Sequence, residues 1–247
     1  VSQPPPSRKV ALVTGGAKRV GRAIVERLAE AGFEIAFTYL TSRLEADEFV
    51  EELGRTGRRA MAIAADFTDP QTAIGVIHRQ FATFSDRLDV LVNNASLYEP
   101  ASLDQTDLHL MRKLMAVHYE SPLLLCKTFA GLLRQSQGHV INMVDLLAER
   151  PWPKYMAYCA SKAALVNLTL SLARELAPQV TVNAIAPGVV EWPADYPEEQ
   201  KQAYLHRVPL GRAGEPSDVA NLVAYLCGEG SYITSQIIRL DGGRSIS

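Results

Sequence analysis

The stretch Thr14-Gly15-Gly16-Ala17-Lys18-Arg19-Val20-Gly21 constrains this chain more than any other, because it joins an apolar run at 10–14 to a segment of helical period at 22–31. A glycine-rich turn that ends a buried strand and opens a helix lets other groups approach its backbone closely. The helix N-terminus adds N–H groups and the positive end of the helix dipole, so the place suits the pyrophosphate of a dinucleotide. A strand followed by a helix in this way needs a parallel neighbour, which commits the chain to an α/β fold.

The rest of the sequence repeats that rhythm. Short β-branched runs alternate with longer segments of helical period, and the runs predict seven strands, at 10–14, 34–39, 59–65, 90–93, 139–144, 180–185 and 237–241. Their unbroken apolar character implies burial on both faces. The expected architecture is a single-domain, doubly wound (Rossmann) parallel seven-stranded sheet with helices on both faces, spanning 9–247. The two longest helices are expected within 104–134 and 154–177. The interval 191–210 breaks the rhythm with three prolines, two tyrosines and clustered acids, so 189–210 is expected to be a loop that serves as lid or substrate loop. Residues 1–8 have no apolar centre; they read as a disordered tail rather than a signal peptide.

Composition narrows the partner. At 47% apolar and 21% charged residues, 247 residues can bury a large core without disulfide or metal. Lys and Arg number 25 against 27 for Asp and Glu, so no net field draws nucleic acid or an anionic membrane, and a small molecule is the expected partner. No 18 uncharged apolar residues run together, so no membrane span is expected. Cys126, Cys159 and Cys227 are odd in number and far apart; they form neither a disulfide framework nor a zinc spacing, and they suit a reducing, cytoplasmic setting. His78, His109, His139 and His206 have no metal spacing and are expected to be exposed.

The second strand addresses the form of the dinucleotide. A site for NAD places an acid at that strand's end to hold the adenosine ribose, whereas Thr38-Tyr39-Leu40-Thr41-Ser42-Arg43 has none before Glu45. Lys18, Arg19 and Arg43 supply cations instead, which suits a ribose 2′-phosphate and hence NADPH. Arg43 alone reads more readily as a solvated surface charge, Lys18 and Arg19 less so.

Chemistry enters with Tyr158-Cys159-Ala160-Ser161-Lys162. On a helix Tyr158 and Lys162 share a face, and a fixed ammonium lowers a phenol from its ordinary value of about 10 toward the working range. Together with Asp66 after the third strand, Asn93-Asn94-Ala95, Pro187-Gly188 and the terminal Asp241-Gly242-Gly243, the glycine loop and this pair resemble the short-chain dehydrogenase/reductase family over almost the whole chain. The resemblance implies that Gly15, Lys18, Arg19, Val20, Thr41, Ser42, Asp66, Phe67, Asn93, Ala95 and Ser96 bind the cofactor. It further implies that Lys162 holds the nicotinamide ribose beside Tyr158, and that Pro187 and Gly188 flank the nicotinamide amide. A homotetramer paired through the two long helices is expected from the same source. Read locally, Asp66 would equally cap the chain near Thr68, and Asn93 would equally form a strand-end turn.

Departures from the family pattern narrow the substrate. Asp145 stands thirteen residues before Tyr158, where most members have serine, and Arg19 replaces the middle glycine of the loop. Both features resemble the pteridine and dihydromonapterin reductases of the family. That resemblance implies a 7,8-dihydropterin substrate, with Asp145 orienting and proton-coupling to Tyr158, Tyr98 stacking on the pterin, and Arg19 and Ser96 contacting it. Trp192 would close the pocket or simply pack on the body, and Asp145 would otherwise cap the segment after its strand. His118 stands where the family has an asparagine that anchors a relay water; it either substitutes for that group or is an ordinary helix-interior histidine. A general carbonyl or 3-oxoacyl-carrier-protein reductase is the alternative, against which Asp145 counts. An NADP(H)-sensing regulator is the third reading, against which the retention of Tyr158 and Lys162 counts.

Overall fold

The computed structural model describes residues 8–192 and 195–247, so nearly all of the expected tail at 1–8 lies outside the described residues. Seven parallel strands form one sheet in the order β3-β2-β1-β4-β5-β6-β7. They are β1 (Val10–Val13), β2 (Glu34–Tyr39), β3 (Ala60–Ala64), β4 (Val90–Asn93), β5 (His139–Met143), β6 (Thr181–Pro187) and β7 (Ile237–Leu240). All seven expected strands are present, most of them shifted or trimmed by one or two residues at their ends.

The pleat sorts the side chains of each strand between two apolar layers. In β1, Val10 and Leu12 join a core that also takes Ile77 and Phe81 of α3 (Pro70–Phe84), Phe129 of α5 (Ser121–Ser136) and Leu165 of α6 (Met156–Glu175). Ala11 and Val13 point the other way, toward Ile24 and Leu28 of α1 (Arg19–Glu30), Phe49 of α2 (Arg43–Arg55) and Val223 of α8 (Pro216–Leu226). Each large side chain removed from water in this way contributes about 1.5–3 kcal/mol. The edge strand β7 departs from the expectation of burial on both faces: its residues are only partly buried, and Arg239 is exposed. At twenty residues α6 is long and apolar enough to cross a membrane by length and composition, but half of that stretch is buried within the protein.

Three expected segments differ in the structure. The helix expected across 104–134 starts at Leu108, where the Asp107 carboxylate accepts a hydrogen bond from the Leu110 amide, and it is divided. Helix α4 (Leu108–Met115) passes through a π-helical turn at Ala116–Glu120 into α5. Pro122 explains the break: it has no N–H for the carbonyl four residues back, that of His118, and the turn widens there. The second long helix is confined to Met156–Glu175. Within 191–210 the chain is not a plain loop, since Glu198–Leu205 forms helix α7, with Glu198 and Glu199 in its first turn facing the positive end of the helix dipole.

Strand order reverses between β1 and β4. Ligands of open parallel sheets bind above the carboxyl ends of the strands at such a switch point, and this is where the residues singled out above converge.

Candidate active site

The glycine loop is held by its neighbours before any ligand is considered. The Gly15 amide donates to Thr38 Oγ1 and the Gly16 amide to the Thr38 carbonyl, while Asn94 Nδ2 donates to the carbonyls of Thr14 and Gly15. Gly15 has φ +65°, and a Cβ on Gly21 would stand 2.0 Å from the Gly15 carbonyl oxygen. Arg19 also has positive φ, at 54°, an uncommon conformation for a side-chain-bearing residue. No side chain caps α1 and no acid lies in its first turn, so its N-terminus is arranged for an anion. A cleft beside the loop is lined by Gly15, Thr38, Tyr39, Asp66, Phe67 and Ala95 across the ends of β1 to β4. Loop, helix end and cleft together fit a dinucleotide.

The cations expected to meet a 2′-phosphate are differently placed. Lys18 Nζ lies 2.6 Å from Glu45, and Arg19 Nε lies 2.7 Å from Glu191 across the mouth of the site. Arg43 is mostly exposed and faces Asp47 at 3.6 Å, so the solvated-surface reading describes it. Thr41 is exposed and Ser42 is the residue that precedes α2. Asp66 Oδ1 accepts from the amide and hydroxyl of Thr68, so the local cap exists, at the edge of the same cleft. Asn93 turns its amide inward to Asn142 Oδ1 at 2.7 Å, leaving only its backbone toward the groove; the Ala95 amide is bonded to Thr14 Oγ1.

Asp145, Tyr158 and Lys162 come together where β5 ends and α6 begins. Asp145 Oδ1 accepts from the Leu147 amide and Oδ2 accepts from the Tyr158 hydroxyl at 2.7 Å, so this residue both caps the turn at Leu146–Ala148 and meets the phenol. Lys162 is fully buried, and its Nζ donates to the Met143 carbonyl at 2.8 Å. The electrostatics run against the expected depression of the phenol. Burial first, then the Asp145 charge and hydrogen bond, hold Tyr158 well above its ordinary value, so it is kept as a protonated donor. Burial pushes the Lys162 ammonium down to about 8, with the Asp145 charge opposing.

Around this pair stand aromatic rings. Tyr98 stacks on Tyr155 with centroids 4.5 Å apart and meets Tyr158 edge-on at 4.9 Å, so one face of Tyr98 is covered and the other is left for a flat ligand. Pro187 ends β6, and the Gly188 amide donates to the Leu240 carbonyl, leaving room above it that a Cβ would close against Asp241. Trp192 packs on Tyr196 and Tyr204, within its own segment, and the Tyr204 hydroxyl accepts from the Val189 amide beside Gly188.

His118 lies in the site, 1% exposed on the π turn, and both of its ring nitrogens have protein partners. Nε2 is 2.9 Å from Ser96 Oγ and accepts from the Leu97 amide at 3.2 Å; Nδ1 is 2.8 Å from Ser161 Oγ. No ring nitrogen is left to anchor a relay water. Burial, then the Lys162 charge, keep the imidazole neutral far below its usual range. Of the other histidines, His139 departs from expectation: it is partly buried and bonded to Thr181, while His78, His109 and His206 are exposed. Among the described residues no group of three or more His, Cys, Asp or Glu side chains could hold a metal ion.

Sequence reasoning quoted Thr14, Asn94 and Ser161 within its motifs but gave them no role, and it did not reach Tyr155 or Glu191. Tyr155 lies three residues before Tyr158, a helical spacing that could have drawn attention. Nothing in sequence couples Glu191 to Arg19.

Comparison with known proteins gives a consistent result. Residues 15–245 match the family described as enoyl-(acyl carrier protein) reductase. The 3-oxoacyl-[acyl-carrier-protein] reductase FabG of Staphylococcus aureus is 35% identical, covering 95% of this chain and 97% of its own. Among solved structures, a blue fluorescent protein from a metagenomic library, in complex with NADPH, superposes with a TM-score of 0.89 at 35% identity, over 96% of this chain and 97% of its own. FolM alternative dihydrofolate reductase 1 from Brucella canis, complexed with NADP, does so with 0.86 at 34%, over 97% and 95%.

Proposed function

Because the chain belongs to the short-chain dehydrogenase/reductase family, we propose that it is an NADPH-dependent reductase that converts a 7,8-dihydropterin to the tetrahydro form. The family and the NADPH- and NADP-bound neighbours make it an NADP(H)-dependent oxidoreductase. The pterin is our reading, and the contact between Asp145 and the Tyr158 hydroxyl carries it. A ketone reductase needs only a hydroxyl to hold its substrate oxygen. A carboxylate bonded to the phenol instead suits a nitrogen-rich ring whose C=N bond takes up a proton.

NADPH, when bound, supplies the hydride, which adds to carbon C6 of the substrate while nitrogen N5 takes a proton. Tyr158 holds that proton on Oη because its environment disfavours the phenolate; Asp145 orients the hydroxyl as its acceptor, and water returns the proton to Tyr158 after transfer. Lys162 is set to bond the nicotinamide ribose from the floor of the site. Gly15, Lys18, Arg19 and Val20 take the phosphates, with Thr41 and Ser42 at the 2′-phosphate, Asp66 and Phe67 at the adenine, Asn93, Ala95, Pro187 and Gly188 along the rest of the dinucleotide, and Ser96 between cofactor and substrate. The free face of Tyr98 stacks on the pterin, an arrangement worth about 1 kcal/mol beyond burial. Arg19 would exchange Glu191 for cofactor phosphate or substrate. A cytoplasmic homotetramer belongs to the same proposal; three free buried cysteines and the exposed Leu108, Met111 and Met156 on α4 and α6 support it.

A 3-oxoacyl-carrier-protein reductase is the second reading, and the Staphylococcus aureus relative favours it over the first, whereas the Brucella canis neighbour favours the pterin. NADPH oxidation measured side by side with dihydromonapterin, dihydrobiopterin, dihydrofolate and an acetoacetyl thioester decides between them. Turnover of the dihydropterins supports the first reading, and turnover of the thioester alone overturns it.

A further inference from the structure

The polar network beneath Tyr158 fixes the tautomer of His118. A backbone N–H can only donate, so the bond from the Leu97 amide to His118 Nε2 requires that nitrogen to be bare. The ring proton is then on Nδ1 and goes to Ser161 Oγ, whose own hydroxyl donates to the Tyr158 carbonyl at 2.7 Å. With Nε2 bare, its lone pair faces both the Leu97 amide at 3.2 Å and the Ser96 hydroxyl, whose oxygen is the nearer at 2.9 Å. The opposite tautomer would set the ring N–H against the Leu97 N–H on an imidazole that is itself buried, where an unsatisfied donor is costly.

We propose that His118 is a positioning residue for Ser96: by holding the Ser96 hydroxyl proton it leaves Ser96 only lone pairs to present beside Tyr158, so that this position reads an N–H donor on the substrate. A hydroxyl is ordinarily donor and acceptor at once and discriminates poorly. Fixed in this way it accepts only, and it rejects a carbonyl or ether oxygen at the same place. The choice of substrate group rests on the dihydropterin reading, since that ring carries N–H donors along its edge and a thioester carries none at its reacting carbonyl.

Two measurements test this. In the full-length protein labelled with 15N-histidine, multiple-bond 1H–15N spectra at pH 7 report each imidazole tautomer, with His118 assigned by elimination after single substitution of the other four histidines. The Nδ1–H form is expected. An Nε2–H or charged His118 overturns the proposal, and this result needs no substrate, so it is separable from failure of the pterin reading. The second is a double-mutant cycle of His118→Leu and Ser96→Ala. The His118 change should raise KM for a dihydropterin about ten-fold with a smaller effect on kcat, and should add nothing once Ser96 is gone. Equal losses in both backgrounds mean that His118 merely supports the fold, and they overturn the proposal. A protein that turns over the thioester alone overturns the substrate half, while the tautomer still decides the positioning half.

Discussion

The Tyr158 hydroxyl donates to Asp145 Oδ2 across 2.7 Å, so the phenol at the centre of the site is bonded to a carboxylate rather than faced by a hydroxyl. Two consequences follow from elementary electrostatics. The proton on Tyr158 is retained more tightly than in free tyrosine, and the hydroxyl is oriented by the carboxylate it faces.

Replacing Asp145 by Asn removes the negative charge that, after burial, contributes most to raising Tyr158. The basic limb of the kcat profile should therefore move to lower pH in the variant. Tyr158→Phe should reduce kcat by about 10²–10⁴-fold, the usual range for loss of a general acid. Steady-state rates across pH check both; an unmoved basic limb in Asp145→Asn would mean that the carboxylate does not act on the phenol.

Gly21→Ala should be severe for a reason independent of chemistry. Its Cβ would fall 2.0 Å from the Gly15 carbonyl and 2.7 Å from Asn94 Nδ2, both of which are fixed by other bonds. A loss of about 1–3 kcal/mol in stability and at least about ten-fold in NADPH affinity is expected. Thermal unfolding and fluorescence titration with NADPH read the two effects separately.

Much of this was legible in the sequence, for identifiable reasons. Parallel strands buried on both faces are apolar throughout, which made the central strands recognisable, and the edge strand β7 is still an apolar run despite its exposed Arg239; the glycine loop is specified by local sterics at Gly15 and Gly21. Asp145, Tyr158 and Lys162 could be tied together because a strand end and a helix face fix their spacing. What escaped depends on tertiary contacts. The π turn follows from a missing N–H at Pro122, yet a proline near a helix start is more often unremarkable. The pairing of Arg19 with Glu191 spans the distance from the first strand to the sixth. The covered face of Tyr98 requires Tyr155, and nothing in the sequence brings residue 98 against the start of that helix. His118 was visible as a departure, but only the fold shows that both of its nitrogens are engaged.

Lys162 links stability to pH. Its folded value of about 8 lies below the usual 10.5, so between these values the unfolded chain binds a proton that the folded chain does not. Its contribution to stability therefore increases as pH rises through that window and is lost as pH falls through 8. Wild type should gain on Lys162→Met by an amount on the order of 3 kcal/mol between pH 7 and 10.5. Denaturant unfolding of both proteins at several pH values tests this, and a difference independent of pH contradicts it.

Tyr98→Ala should raise KM for a dihydropterin by about five- to ten-fold, the equivalent of one lost aromatic stack, with a smaller effect on kcat. The KM for NADPH should move less. An equal rise for both ligands would place Tyr98 in general packing against Tyr155 rather than in substrate contact.

The central claim is that the carboxylate at position 145 selects the substrate, and the most direct measurement compares kcat/KM for a dihydropterin with kcat/KM for an acetoacetyl thioester in wild type and in Asp145→Ser. The ratio should favour the dihydropterin in wild type and fall by about 10²-fold or more in the variant, chiefly through lost pterin turnover. A ratio that favours the thioester in wild type, or that is the same in both proteins, contradicts the account.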